Sequence, residues 1–109
     1  MRLTMEKIEI LKELKNLLVK HFGNIIEKVI LYGSQINGNP QEYSDYDILI
    51  IVNIDYDWRM KNKILSVCND IDLKYDILTD VTIISHNELN SLRGKQPFIL
   101  DAIEQGVSV

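Results

Sequence analysis

The run "DILIIV", residues 47 to 52, constrains the fold more than any other stretch of the chain. After Asp47, apolar side chains occupy both alternating positions, so a strand formed here is buried on both faces. The neighbouring segments supply what such a strand packs against. From Thr4, which suits an N-cap, to Phe22, the residues Ile8, Leu11, Leu14, Leu18 and Phe22 recur at spacings of three or four, and Gly23 follows as a left-handed terminator. Asp57 suits the cap of a second long helix, reaching Asp72, whose apolar stripe is Met60, Ile64, Val67 and Ile71.

Two further strands fit the pattern. Lys28 to Tyr32 is a short β-branched and aromatic run ended by Gly33, and "DVTIIS" at residues 80 to 85 is another. Between Ser34 and Ser44 the turn formers Asn37-Gly38 and Asn39-Pro40 predict a loop. Pro97 occupies a first helical position, and Phe98, Ile99, Ala102 and Ile103 make a last helix closed by Gly106. The order is helix, strand, loop, strand, helix, strand, helix. That order predicts an α/β or α+β arrangement, a small sheet flanked by helices, with the 57–72 helix crossing over between two parallel strands.

The chain's 109 residues make a single domain, 1–109, with no repeat, low-complexity tract or linker. A net charge of -4 and the lack of any basic run longer than two residues argue against generic attraction to nucleic acid or an anionic membrane. The single Cys68 excludes an internal disulfide, and its place beside the helical stripe predicts a buried structural thiol. With no leader and no long apolar span, the expected setting is the cytoplasm.

The chemistry concentrates at the start of the buried strand. Asp45 and Asp47 are two apart, so on a strand they point to the same face with Cα atoms roughly 6.5 Å apart. Like charges this close call for a cation between them, and Mg²⁺ takes oxygen ligands from one or two carboxylates together with substrate phosphates. Ten residues earlier, Gly33-Ser34 ends another strand, where glycine lets a backbone approach a ligand closely and Ser34 adds a hydroxyl. A phosphate seat beside a metal-holding pair describes a site for a nucleoside triphosphate and Mg²⁺.

The stretch "VILYGSQINGNPQEYSDYDILIIV" resembles the minimal nucleotidyltransferases, small members of the DNA polymerase β-like nucleotidyltransferase superfamily, in its Gly-Ser, ten-residue and Asp-x-Asp spacing. The resemblance implies the polymerase β-like nucleotidyltransferase fold, with Gly33 and Ser34 holding the triphosphate of ATP and Asp45 and Asp47 binding Mg²⁺. It also implies a third carboxylate on a later strand, which helps hold a second metal and orients or deprotonates the attacking hydroxyl. Asp80 and Asp76 are the candidates. They share parity, and position favours Asp80, which precedes "VTIIS" much as Asp45 and Asp47 precede "ILIIV".

The implied reaction is attack of an acceptor hydroxyl on the α-phosphorus, with pyrophosphate leaving and two metals stabilising the attacking and leaving oxygens. One small domain offers little to enclose an acceptor. The family's habit of pairing with a helical HEPN-class protein, in toxin-antitoxin modules, implies transfer of AMP to a hydroxyl of that partner. Alternatives are transfer to a small molecule such as an aminoglycoside, and a vestigial module that neutralises its partner by contact. A second copy of the chain is a further expected partner for an exposed acceptor cleft.

Other polar residues read more plainly. His21 and His86 lack the neighbours of a zinc site. Tyr56 and Trp58 read as helix-entry or packing residues, and Arg93 and Lys95 as solvated loop charges that could otherwise reach phosphate oxygens. Tyr43 and Tyr46 flank the carboxylates in sequence, and nothing in the spacing requires either to touch base or acceptor.

Overall fold

The computed structural model describes residues 5–35 and 45–109, with Ser34 described by its backbone alone. The elements are α1 (Met5–Phe22), β1 (Ile26–Tyr32), β2 (Tyr46–Val52), α2 (Trp58–Tyr75), β3 (Thr79–Ser85), α3 (His86–Leu89), α4 (Pro97–Gln105) and β4 (Val107–Ser108). Short 3-10 turns cover Gly23–Ile25, Gly33–Gln35 and Leu92–Lys95. The expected cap at Thr4 and most of the loop from Ser34 to Ser44 lie outside the described residues.

The four strands form one mixed sheet in the order β3-β2-β1-β4. β1 runs antiparallel to β2 and to β4, and β2 runs parallel to β3. The parallel pair is joined by α2, the expected crossover.

β2 shows why "DILIIV" dominates the fold. Ile48, Ile50 and Val52 pack into a core with α1 residues Leu11, Leu14 and Leu18 and α2 residues Ile64, Cys68 and Ile71. Leu49 and Ile51 point the other way, into a second core with Ile30, Ile84 and the α4 residues Ile99 and Ala102. Alternation therefore sends each parity of β2 to its own helical layer.

Local chemistry sets the ends. Asp57 caps α2 by accepting the Met60 N–H at 2.9 Å. Gly23 adopts φ +63° after α1, the left-handed conformation expected of it. Gly106 closes α4 for another reason: its φ of -72° is ordinary, and a Cβ there would lie 2.3 Å from both the Ala102 carbonyl and the Ile30 side chain. Close packing, not a positive φ, asks for glycine at that point.

Two elements are additional to the sequence reading. "SHNEL" forms the short helix α3, held by a capping box in which Ser85 and Glu88 satisfy each other's backbone N–H groups. β4 is two residues long and exists through pairing, Ile30 with Ser108 and Leu31 with Val107.

Candidate functional site

Three strands bring the site together in one row. Tyr32 at the end of β1 is the register partner of Asp47 on β2, and Asp47 is the partner of Asp80 on β3. All three stand on the sheet face that carries Ile30, Leu49 and Ile84 into the α4-side core. Asp45 precedes β2 by one residue and is exposed.

The register distinguishes Asp80 from Asp76. Asp76 is the C-cap of α2, in the left-handed region at φ 53°, and its backbone N–H returns to the Asp72 carbonyl. It ends the helix before β3 begins at Thr79, so the shared parity of the two aspartates has no structural counterpart. Asp80 is exposed and directly opposite Asp47.

Asp47 is the pivot. Burial raises its pKa above the usual carboxylate value, and the neighbouring charges of Asp80 and Asp45 push it further the same way. The Tyr32 hydroxyl is likewise raised, first by burial and then by the charges of Asp47 and Asp80. Sequence reasoning missed Tyr32. Its signal was its place as the last strand residue before Gly33.

Gly33 is fitted to Asp47. It has φ +79°, and a Cβ on it would lie 2.3 Å from Asp47 Oδ2. Both the backbone conformation and the closeness of the carboxylate require a residue without a side chain here. The turn that follows, Gly33–Gln35, is tied to α1 by Lys7, whose Nζ donates to the Gln35 carbonyl at 3.0 Å. Lys7 is a second residue that the sequence did not single out.

Among the described residues, no three His, Cys, Asp or Glu side chains close into a ready-made metal cage. The row nonetheless sets the Asp47 and Asp80 carboxylates beside the Tyr32 hydroxyl, and the neighbouring charges that shift Asp47, those of Asp80 and Asp45, are both negative. Such donors fit a hard divalent cation that takes the rest of its shell from phosphate oxygens and water.

Several polar residues fall elsewhere. Tyr46 faces the opposite side of the sheet from Asp47 and packs against the α1–α2 core, with its pKa raised by burial and by Glu6. Tyr43 lies outside the described residues. Arg93 is more than a solvated loop charge: its Nη1 donates to the Tyr56 hydroxyl at 2.9 Å and to Glu88. His86 pairs with Glu27, and His21 makes a tilted ring contact with Phe22. Trp58 opens α2 and is 67% exposed, with the Arg59 guanidinium over its ring.

Comparison with known proteins places the chain in a family. The family model described as polymerase beta, nucleotidyltransferase, matches residues 12–106. The chain is 30% identical over 102 residues to "Putative protein adenylyltransferase MJ0604" of Methanocaldococcus jannaschii, covering 94% of this chain and 96% of that protein. It is 40% identical over 74 residues to "Putative protein adenylyltransferase MJ0141" of the same organism, covering 68% of this chain and 75% of that one. Among solved structures, a mutant of the toxin-antitoxin pair MntA-HpeT aligns with a TM-score of 0.57 at 15% identity, over 89% of this chain and 69% of that chain, a likeness of fold.

Proposed function

Because the chain belongs to the polymerase beta nucleotidyltransferase family and is a nucleotidyltransferase, we propose that it transfers AMP from ATP, with Mg²⁺, to a hydroxyl group on a partner protein. The observation that carries this reading is the register of Asp47 with Asp80, which sets two carboxylates side by side at the strand ends beside Gly33. The names of the two archaeal relatives support adenylyl transfer to protein in particular.

Each residue then has a task. The Gly33 backbone and Ser34 bind the triphosphate, and glycine at 33 leaves the Asp47 carboxylate room to sit against the turn. Asp45 and Asp47 hold Mg²⁺, and Asp80 orients the acceptor hydroxyl and receives its proton. The bond that forms joins the acceptor oxygen to the α-phosphorus; the bond that breaks joins that phosphorus to the oxygen bridging to the β-phosphate, and pyrophosphate leaves. Mg²⁺ supplies charge neutralisation of the phosphates and stabilises the attacking and leaving oxygens. The pKa of Asp47 is raised first by burial and then by the charges of Asp80 and Asp45, and a bound cation would offset both.

The proposed partner is a helical protein of the HEPN class, in a cytoplasmic toxin-antitoxin module. Incubation with labelled ATP, Mg²⁺ and the product of the neighbouring gene tests the reading. Label should appear in that product with the native chain and not with Asp45→Asn. Tight binding of the product without any transfer would instead identify a module that acts by contact.

A further inference from the structure

The outer edge of β3 is the border of the sheet on the side of the proposed site. In the parallel pair, the Tyr46 N–H donates to the Leu78 carbonyl at 2.8 Å, which sets the even-numbered residues of this strand toward β2. The odd-numbered residues turn their backbone groups outward. Several of these are already occupied: Asp72 Oδ1 accepts the Thr79 N–H at 3.1 Å, the Tyr56 hydroxyl donates to the Ile83 carbonyl at 2.8 Å, and Glu88 Oε1 accepts the Ser85 N–H at 3.1 Å.

Between those plugs the edge stays open. Among the described residues, the Thr79 carbonyl and both backbone groups of Val81 have no hydrogen-bonding partner on this edge, and both residues are only half-buried, whereas the edge closes at Ile83, which is buried. Their spacing is that of a strand awaiting a neighbour, and "TDVTI" contains neither the lysine nor the proline that commonly blunts such edges. The opening is also aligned with the chemistry. Tyr32, Asp47 and Asp80 form one cross-sheet row, and the next place in that row lies just beyond Asp80 on this edge.

We propose that residues 79 to 81 are the docking edge for the acceptor protein, which adds an extended segment to the sheet and thereby carries its acceptor hydroxyl into the fourth place of the row. The proposal rests on the protein-acceptor reading above and specifies how the acceptor is presented. An added strand lies about 4.8 Å from β3, and a side chain in register with Asp80 points to the same face. Its hydroxyl is then beside the carboxylate that takes the proton as the oxygen bonds to the α-phosphorus and pyrophosphate departs. Charge argues against a second copy as the occupant. Antiparallel pairing of β3 with itself near Val81 sets two Asp80 carboxylates on one face at neighbouring positions, and such like-charge arrangements destabilise a sheet.

The test uses the native chain with Mg²⁺, labelled ATP and three acceptors: a pool of octapeptides randomised around a central tyrosine, the same pool N-methylated at alternate amides, and N-acetyl-tyrosinamide. The expected result is labelling of the unmodified pool about tenfold above the other two at equal tyrosine concentration, the change that one or two backbone hydrogen bonds bring. Val81→Pro should bring the ratio of pool to N-acetyl-tyrosinamide labelling close to one. Equal labelling of all three acceptors by the native chain overturns the docking edge and leaves the transfer reading standing. No labelling of any of the three overturns the docking edge, and the transfer reading is then decided by labelling of the neighbouring gene's product. A native dimer that Val81→Pro dissociates, measured by sedimentation, assigns the edge to a second copy and also overturns the proposal.

Discussion

Asp47 stands directly opposite Asp80 in the parallel ladder between β2 and β3, and the charge of Asp80 helps hold the Asp47 carboxyl above its usual pKa. A sheet that only needed stability would not set two acids in register at its edge. The pair is a stored repulsion, and its consequences for stability and for chemistry run in opposite directions.

Asp47→Asn separates those two consequences. Removing the charge should abolish nucleotidyl transfer while raising the melting temperature of the ligand-free protein by a few degrees at pH 7. The sign follows from the raised folded-state pKa: stability is complete below the ordinary carboxylate value of 3.8 and is lost as pH rises through the folded value. The advantage of the variant should therefore vanish in acid. Thermal melts at pH 7 and pH 3 check this, and a variant less stable than the native chain at pH 7 would contradict it.

Gly33→Ala tests the fit between turn and carboxylate. The φ of +79° costs a non-glycine residue about 1–2 kcal/mol, and the new Cβ must also push Asp47 Oδ2 aside from 2.3 Å. Transfer should fall at least about tenfold, the effect of a misplaced reacting group. Gly23→Ala is the control, because Gly23 has a similar φ of +63° and nothing within 4 Å of an added Cβ. It should lose a similar about 1 kcal/mol of stability and keep its transfer rate. Denaturant melts and transfer rates on both proteins distinguish strain from displacement.

Asp80→Asn and Asp76→Asn carry opposite expectations. Loss of the proton acceptor should slow transfer by about 100-fold or more. Asparagine tolerates the left-handed conformation that Asp76 adopts at the end of α2, so Asp76→Asn should retain both rate and stability. Equal losses in the two variants would contradict the assignment of the third carboxylate to β3.

Cys68 should be chemically silent in the folded chain. Burial pushes its thiol up to about 12, with the Asp72 charge adding in the same direction. Alkylation by iodoacetamide at pH 8 should be slow in the native state and fast in denaturant. Because the unfolded thiol ionises near 9.0 and the folded one near 12, its contribution to stability is present below 9 and lost as pH rises across that interval. Native alkylation as fast as that of the unfolded chain would contradict the burial of Cys68.

What the sequence disclosed and what it withheld divide along physical lines. The layered core, the crossover helix and the cap at Asp57 were legible because period and capping chemistry are local. For Tyr46, nearness in sequence to Asp45 and Asp47 says less than parity, which sends it to the other face. Arg93 was misread because Tyr56 and Glu88 reach it only through the fold. β4 carried no local signal at all, since two residues become a strand only by meeting β1. Asp80 could be favoured from position, but the row with Tyr32 and Asp47 needed the register of three strands.

The central claim is that the row from Gly33 through Asp47 to Asp80 directs an acceptor hydroxyl to the α-phosphorus of ATP. The most direct measurement supplies the chain with Mg²⁺ and an acceptor protein and compares ATP labelled at the α-phosphate with ATP labelled at the γ-phosphate. The α label should appear in the acceptor and the γ label in released pyrophosphate, with both outcomes lost in Asp47→Asn. Appearance of the γ label in the acceptor, or α-label transfer that survives Asp47→Asn, would contradict it.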